Sequence, residues 1–152
     1  MSSATPPRDL VHLLSRAEHL AARRLTAALE PEGCSLEQWR ALAFLAGGAG
    51  RTMTELAEYA LLPAPTATKL IDRMVTDALV YRRPDPADRR RVLVYLTERG
   101  AALHERAAAI VREVAASLAD DGTLATRLAH LGDTLESAAH RIPVPSPAPT
   151  AG

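Results

Sequence analysis

Hydrophobic positions recur at three- and four-residue steps along most of the chain, which is the spacing of amphipathic helices. The first such run predicts a helix over Asp9–Leu29, and the proline and glycine of Glu30–Gly33 end it. A helix of this length with one apolar stripe needs a partner helix, from this chain or from a second subunit. Further helices are predicted over Leu36–Leu45, from Thr52 to the turn Leu61–Pro65, over Pro65–Ala78, from Thr97 to about Asp120, and from Thr123 to Ile142.

Two of the predicted helix starts carry the pattern S/T-x-x-E/Q, in which the first and last residues cap each other's backbone. Ser35 and Gln38 fit this pattern before the second helix, and Thr52 and Glu55 fit it before the third. Both helices are therefore expected to begin directly after Ser35 and Thr52.

A β-hairpin is predicted after the fourth helix. The short apolar, β-branched runs Leu79–Arg82 and Val92–Leu96 suit strands, and Pro84–Asp88 forces a loop between them. Two helices about a tight turn, followed by a hairpin, form a winged helix-turn-helix. That shape places one helix in a DNA major groove. The predicted fold class is therefore mainly α with a small β-hairpin wing.

The distribution of charge along the chain bears on this prediction. The 152-residue chain has a formal net charge of zero. A DNA-binding protein with no net charge must segregate its charges. Lys69 is the single lysine, and the other basic residues are arginines. The segment Arg82–Arg91 holds five arginines against two aspartates, a local charge of +3. Aromatic residues make up 3% of the chain, which argues against a stacking platform for single-stranded nucleic acid.

Other classes of protein find little support. Cys34 is the single cysteine, so no intrachain disulfide or CxxC metal motif is possible, as expected for a reducing cytoplasm. No signal peptide or membrane-spanning run is visible, and a cytoplasmic location without a membrane partner is expected. No nucleophile–base pair, phosphate-cradling loop or metal cluster stands out. We therefore expect no enzyme activity, no metal and no cofactor.

The sequence resembles the MarR family of bacterial transcriptional regulators. Leu56–Val75 resembles that family's helix-turn-helix, and Val80–Gly100 resembles its wing. The wing match includes D-x-R at Asp88–Arg90 and a closing L-T-x-x-G. The resemblance covers residues 9–142 as one domain, with a winged core at 36–98 and dimerisation helices at 9–30 and 98–142. Segments 1–7 and 143–152 are expected to be disordered tails.

The resemblance implies a homodimer that binds a palindromic operator in double-stranded DNA, usually as a repressor. It also implies a small phenolic or other aromatic effector that releases the DNA. Two positions depart from the family pattern, since Leu61 and Ala78 stand where glycine is common. A residue with a side chain is costly there if the backbone needs a positive φ.

The predicted DNA contacts lie on the fourth helix and the wing. Thr66 and Thr68 are expected to meet bases or phosphates, and Lys69 and Arg73 to hold phosphates. The resemblance places Arg90 toward a narrow minor groove. The plain alternative for all of these side chains is a solvated surface. The full set is Pro65, Thr66, Thr68, Lys69, Arg73, Arg89, Arg90 and Arg91.

An effector pocket is expected between the dimerisation helices and the DNA-binding part, as the resemblance implies. The candidate residues are His19 and Arg23 on the first helix and Trp39 and Arg40 on the second. Arg40 is suited to a carboxylate or phenolate. Ordinary core and surface packing is the alternative for all four.

Three other functions remain open. Cys34 precedes a helix start, which can lower a thiol pKa, so redox sensing competes with a small buried residue. His12 and His19 share a helix face and suggest a weak metal site. A ligand-independent architectural DNA-binding protein would carry the same basic wing, whereas a helical protein-interaction module would leave the wing arginines unexplained.

Overall fold

The computed structural model describes residues 9–118 and 122–139. It divides into two units, and the first, which ends at Ala116, holds five helices and a small sheet. The second unit holds one helix. In chain order the elements are α1 (Leu10–Leu29), a 3-10 helix (Glu30–Glu32), α2 (Leu36–Leu45), β1 (Arg51–Thr52), α3 (Met53–Ala60), α4 (Ala64–Thr76), β2 (Val80–Pro84), β3 (Val92–Leu96), α5 (Glu98–Ala116) and α6 (Thr123–Ala139).

The capped helix starts are confirmed. The Ser35 hydroxyl accepts the Gln38 backbone N–H at 3.1 Å, and the Gln38 side chain accepts the Ser35 backbone N–H at 2.9 Å. Thr52 and Glu55 make the same reciprocal pair at 3.2 and 2.8 Å. These local bonds satisfy backbone donors that a helix start otherwise leaves without partners.

The wing is a three-stranded antiparallel sheet in the order β1-β3-β2. Tyr81 pairs with Tyr95 across β2 and β3, and Arg82 pairs with Val94. β1 was not predicted, because its two residues form a strand only by pairing with the distant β3. The first wing strand was predicted at Leu79–Arg82, whereas β2 runs from Val80 to Pro84. The proline ends an edge strand, where a missing N–H is tolerated.

The core of the first unit lies beneath α4 and the wing. Its fully buried large side chains come from six of the helices and strands and are Leu29, Leu42, Leu56, Ile71, Met74, Val80 and Val94. Val75 is apolar but lies outside this core, with its side chain 38% exposed. Ile71 and Met74 already occupy the core stripe of α4, and Val75 lies about 100° further around the helix.

Both ends of α4 carry residues in the left-handed backbone region. Leu61, in the turn before α4, and Ala78, after it, each have φ of +57°. These are the two positions at which the sequence lacks the expected glycine, and the turns form without it. The left-handed conformation of Ala78 also ends α4 at Thr76, two residues before the predicted end. The predicted end of α6 at Ile142, and both predicted tails, lie outside the described residues.

No helix in the described ranges is both long enough and apolar enough to cross a membrane.

Candidate nucleic-acid interface

The outward face of α4 presents short polar and basic side chains. Pro65, Thr66, Thr68, Lys69 and Arg73 are all exposed, while Ala67, Ile71 and Met74 face the core. The Thr68 hydroxyl donates to the Ala64 carbonyl at 3.0 Å, which leaves its oxygen free to accept from a base or a water. Short side chains on this face leave room for a close approach to a groove floor.

The wing loop is ordered by its two aspartates. The Asp85 carboxylate accepts the Ala87 N–H at 2.9 Å, and the Asp88 carboxylate accepts the Arg90 N–H at 3.0 Å. A backbone bond from the Asp85 N–H to the Arg91 carbonyl, at 2.9 Å, closes the loop. Asp88 thus holds the backbone of Arg90. The aspartates fix the loop and leave the charges of its arginines available.

The basic side chains predicted to contact DNA have no ion-pair partner in the part of the chain that the structure describes. Lys69, Arg73, Arg89, Arg90 and Arg91 are exposed and form no side-chain ion pair among the described residues. An exposed, unpaired guanidinium or ammonium group is suited to a phosphate.

Arg90 and Arg91 also line a groove of about 590 Å³ against the start of α3, with Thr54 and Glu55 on its far side. Two hydrogen bonds from Thr52, backbone first and side chain second, lower the pKa of Glu55, and the nearby arginines contribute. Glu55 therefore stays ionised as the cap of α3. Thr54 is exposed in this groove and was not singled out from the sequence, because the capping pattern marks its neighbours and not Thr54 itself.

Arg82 differs from the other wing arginines. Its Nη2 lies 2.6 Å from Oδ1 of Asp72 on α4, in a hydrogen-bonded ion pair. Arg83, the next residue, is exposed, and its guanidinium lies 5.9 Å from the centre of the Tyr81 ring. The local excess of positive charge is therefore carried mainly by Arg83 and the loop arginines.

The four candidate effector residues fall into two places. His19 and Arg23 line a groove of about 490 Å³ between α1 and the start of α2, with Thr26 and Glu37 nearby. Trp39 does not line this groove, because its ring stacks on His104 of α5 with centroids 5.4 Å apart.

Arg40 does not line the groove either. Its guanidinium reaches the Ala60 carbonyl at 3.5 Å and the Glu18 carboxylate at 3.8 Å. The structure therefore brings His19 and Arg23 together, and gives Trp39 and Arg40 packing partners elsewhere.

Cys34 lies in a setting that disfavours a reactive thiolate. It is 4% exposed, and its Sγ donates to the Ser35 carbonyl at 3.5 Å. Burial, and secondarily the charge of Glu32, raises the pKa of Cys34 to about 11. Of the two hypotheses for Cys34, these features favour a small buried residue over a redox sensor, because burial disfavours the charged thiolate.

Histidine, cysteine and acidic side chains do not gather in groups of three or more that could hold a metal ion, within residues 9–118 and 122–139. The suggested pair His12 and His19 thus has no third ligand among these residues.

A helix-turn-helix with an exposed polar second helix, followed by a basic wing, defines the class of winged-helix DNA-binding proteins. A sequence model of the MarR family matches residues 32–91. The HTH-type transcriptional repressor Rv2887 of Mycobacterium tuberculosis is 36% identical over 104 residues, which cover 68% of this chain and 74% of that protein. The chain therefore belongs to the MarR family of transcriptional regulators.

Solved structures support the same fold. A MarR variant from E. coli in complex with operator DNA is 28% identical, with a TM-score of 0.71, covering 83% of this chain and 93% of that one. Rv2887 in complex with salicylic acid is 25% identical, with a TM-score of 0.66, covering 85% and 98%. The chain spans about two thirds of the length of the first curated relatives that it matches.

Proposed function

We propose that this protein is a homodimeric repressor that binds a palindromic operator and is released by a small aromatic acid. The observation that carries the proposal is the combination of an exposed polar face on α4 with a loop of three arginines, Arg89–Arg91, that form no ion pair with any residue the structure describes. The face fits a major groove and the loop fits the adjacent minor groove.

Dimer formation is supported by apolar side chains that the single chain leaves in water. In α1, Leu10, Leu13 and Leu20 share one face and are 59, 44 and 50% exposed. In α6, Leu124, Leu128 and Leu135 are also exposed, at 48, 48 and 57%. Such stripes are typical of helices that pack against a second subunit. A two-fold dimer would place two copies of α4 about one DNA turn apart.

Release by an effector is supported by the groove that His19 and Arg23 line. Arg23 provides a cation for a carboxylate, and the apolar lining residues include Ala22, Ala27 and Leu36. A relative carries salicylic acid in its solved structure, so salicylate is the first probe to use. A ligand there would act by favouring one separation of the two α4 helices over another.

The proposal is tested by binding of the purified protein to the promoter fragment upstream of its own gene, in competition with random duplex DNA. A repressor prefers the promoter fragment, and an architectural protein binds both fragments equally. Sedimentation then gives the stoichiometry on the DNA, and two chains per palindrome are expected.

Release of the DNA by salicylate in wild type, and no release in Arg23→Gln, would support the effector groove. If the protein–DNA complex persists at every salicylate concentration, salicylate is not the effector, and the proposal of a DNA-binding repressor is unaffected.

Changing Arg90 to Ala tests the wing separately. We expect operator affinity to fall by about 1–3 kcal/mol, because one groove contact is removed. Arg24→Ala is the matched control, since it removes the same charge from an exposed position on α1. Equal affinities for the two variants at one salt concentration would show that the wing does not contact the DNA.

A further inference from the structure

The ion pair between Asp72 and Arg82 joins the two elements that carry the proposed DNA contacts. Asp72 is the one acidic residue of α4, and Arg82 lies on β2 opposite Val94. The Arg82 side chain is 33% exposed and that of Asp72 is 57% exposed. A pair this exposed adds little to folding stability, so stability does not explain it.

We propose that Asp72 holds Arg82 away from DNA phosphates and so limits binding to arbitrary sequences. This inference rests on the proposed DNA-binding function. Lys69 and Arg73 flank Asp72 on α4, and Arg83 follows Arg82 on β2, all exposed. A released Arg82 would therefore add another cation to a surface that already holds several.

The physical reason is that phosphate contacts carry no sequence information. Each cation that reaches a phosphate releases a counterion and strengthens binding to every sequence alike. A carboxylate that occupies Arg82 removes one such contact and leaves the base contacts of α4 unchanged. The ratio of specific to non-specific affinity rises, at the expense of total affinity.

The 2.6 Å ion pair joins α4 to β2. Asp72 is therefore a specificity-determining residue, and it acts through Arg82 without touching the DNA itself.

The experiment compares Asp72→Asn, Arg82→Gln and the double variant with wild type, on a random-sequence duplex over a range of salt concentrations. Asp72→Asn should bind the random duplex several-fold more tightly, and the slope of log K against log salt should steepen by about 0.9, the value for one added phosphate contact. Arg82→Gln should keep the wild-type slope, because Arg82 is already occupied in wild type. The double variant should match Arg82→Gln.

Asp77→Asn is the matched control. It removes the same charge just after α4, from an aspartate that forms no ion pair in residues 9–118. Its salt slope should stay at the wild-type value. The double variant also tests whether Asp72 acts on the neighbouring Lys69. Such an effect does not need Arg82, so it would make the double variant bind DNA differently from Arg82→Gln.

Two results overturn the inference and leave DNA binding intact. One is an equal salt slope for Asp72→Asn and Asp77→Asn, and the other is a slope reduced by about 0.9 in Arg82→Gln, which would mean that Arg82 contacts a phosphate in wild type. If wild type binds neither the random duplex nor the promoter fragment, the proposed function itself fails, and this inference fails with it.

Discussion

Replacing Ala78 with glycine should make the protein more stable. Ala78 has φ of +57°, and its side chain is exposed, so removing the methyl group loses little packing. The left-handed conformation costs a residue with a Cβ about 1–2 kcal/mol. Relief of this strain is partly offset by glycine itself. Glycine costs about 0.5–1 kcal/mol, because it loses more backbone freedom than alanine when the chain folds. The net stabilisation is therefore about 0–1.5 kcal/mol, with a central value of about 0.75 kcal/mol.

Urea unfolding at one protein concentration measures this change, since a dimer's apparent stability depends on concentration. The midpoint should rise without a change in slope. Ala109→Gly is the matched control, because Ala109 is exposed within α5 and has ordinary helical geometry. The control should lose about 0.5–1 kcal/mol. If both variants are destabilised by the same amount, backbone strain at Ala78 does not explain its energetics.

Two further expectations concern Gly100 and Cys34. A Cβ on Gly100 would overlap the Leu79 carbonyl, so Gly100→Ala should lose about 1–3 kcal/mol in the same urea assay. Gly132→Ala, where a Cβ meets nothing within 4 Å, should instead gain up to about 1 kcal/mol. Burial raises the pKa of Cys34 to about 11, so the folded state favours the protonated thiol. This contribution to stability is fully present below the ordinary thiol pKa and is lost as the pH rises toward 11. Iodoacetamide should therefore alkylate native Cys34 slowly at neutral pH, and rapid alkylation would restore the redox hypothesis.

The features that the sequence predicted best depend on neighbouring residues. The starts of α2 and α3 follow from capping residues three positions apart, and the cost of Leu61 and Ala78 follows from their place in the turns. Each of these signals is complete within one or two turns of chain. Local chemistry was enough to place them.

The features that the sequence missed depend on distant parts of the chain. β1 exists because Arg51 and Thr52 pair with Val94 and Leu93. The pKa of Cys34 depends on burial that only the packed core provides. Likewise, a pattern of charges does not show which carboxylate lies 2.6 Å from Arg82. Tertiary contacts decided all three.

Leu61, in the turn before α4, allows a further prediction about the proposed DNA recognition. Leu61 is 77% exposed and has φ of +57°, so it adds strain to the turn and buries little surface. A residue with a side chain allows fewer backbone states than glycine does, so we expect Leu61 to restrict how far α4 can pivot in the turn. Leu61→Gly should therefore stabilise the fold and also lower the ratio of promoter to random-DNA affinity, with the salt slope unchanged. An unchanged ratio in the stabilised variant would show that the strain at Leu61 has no part in DNA recognition.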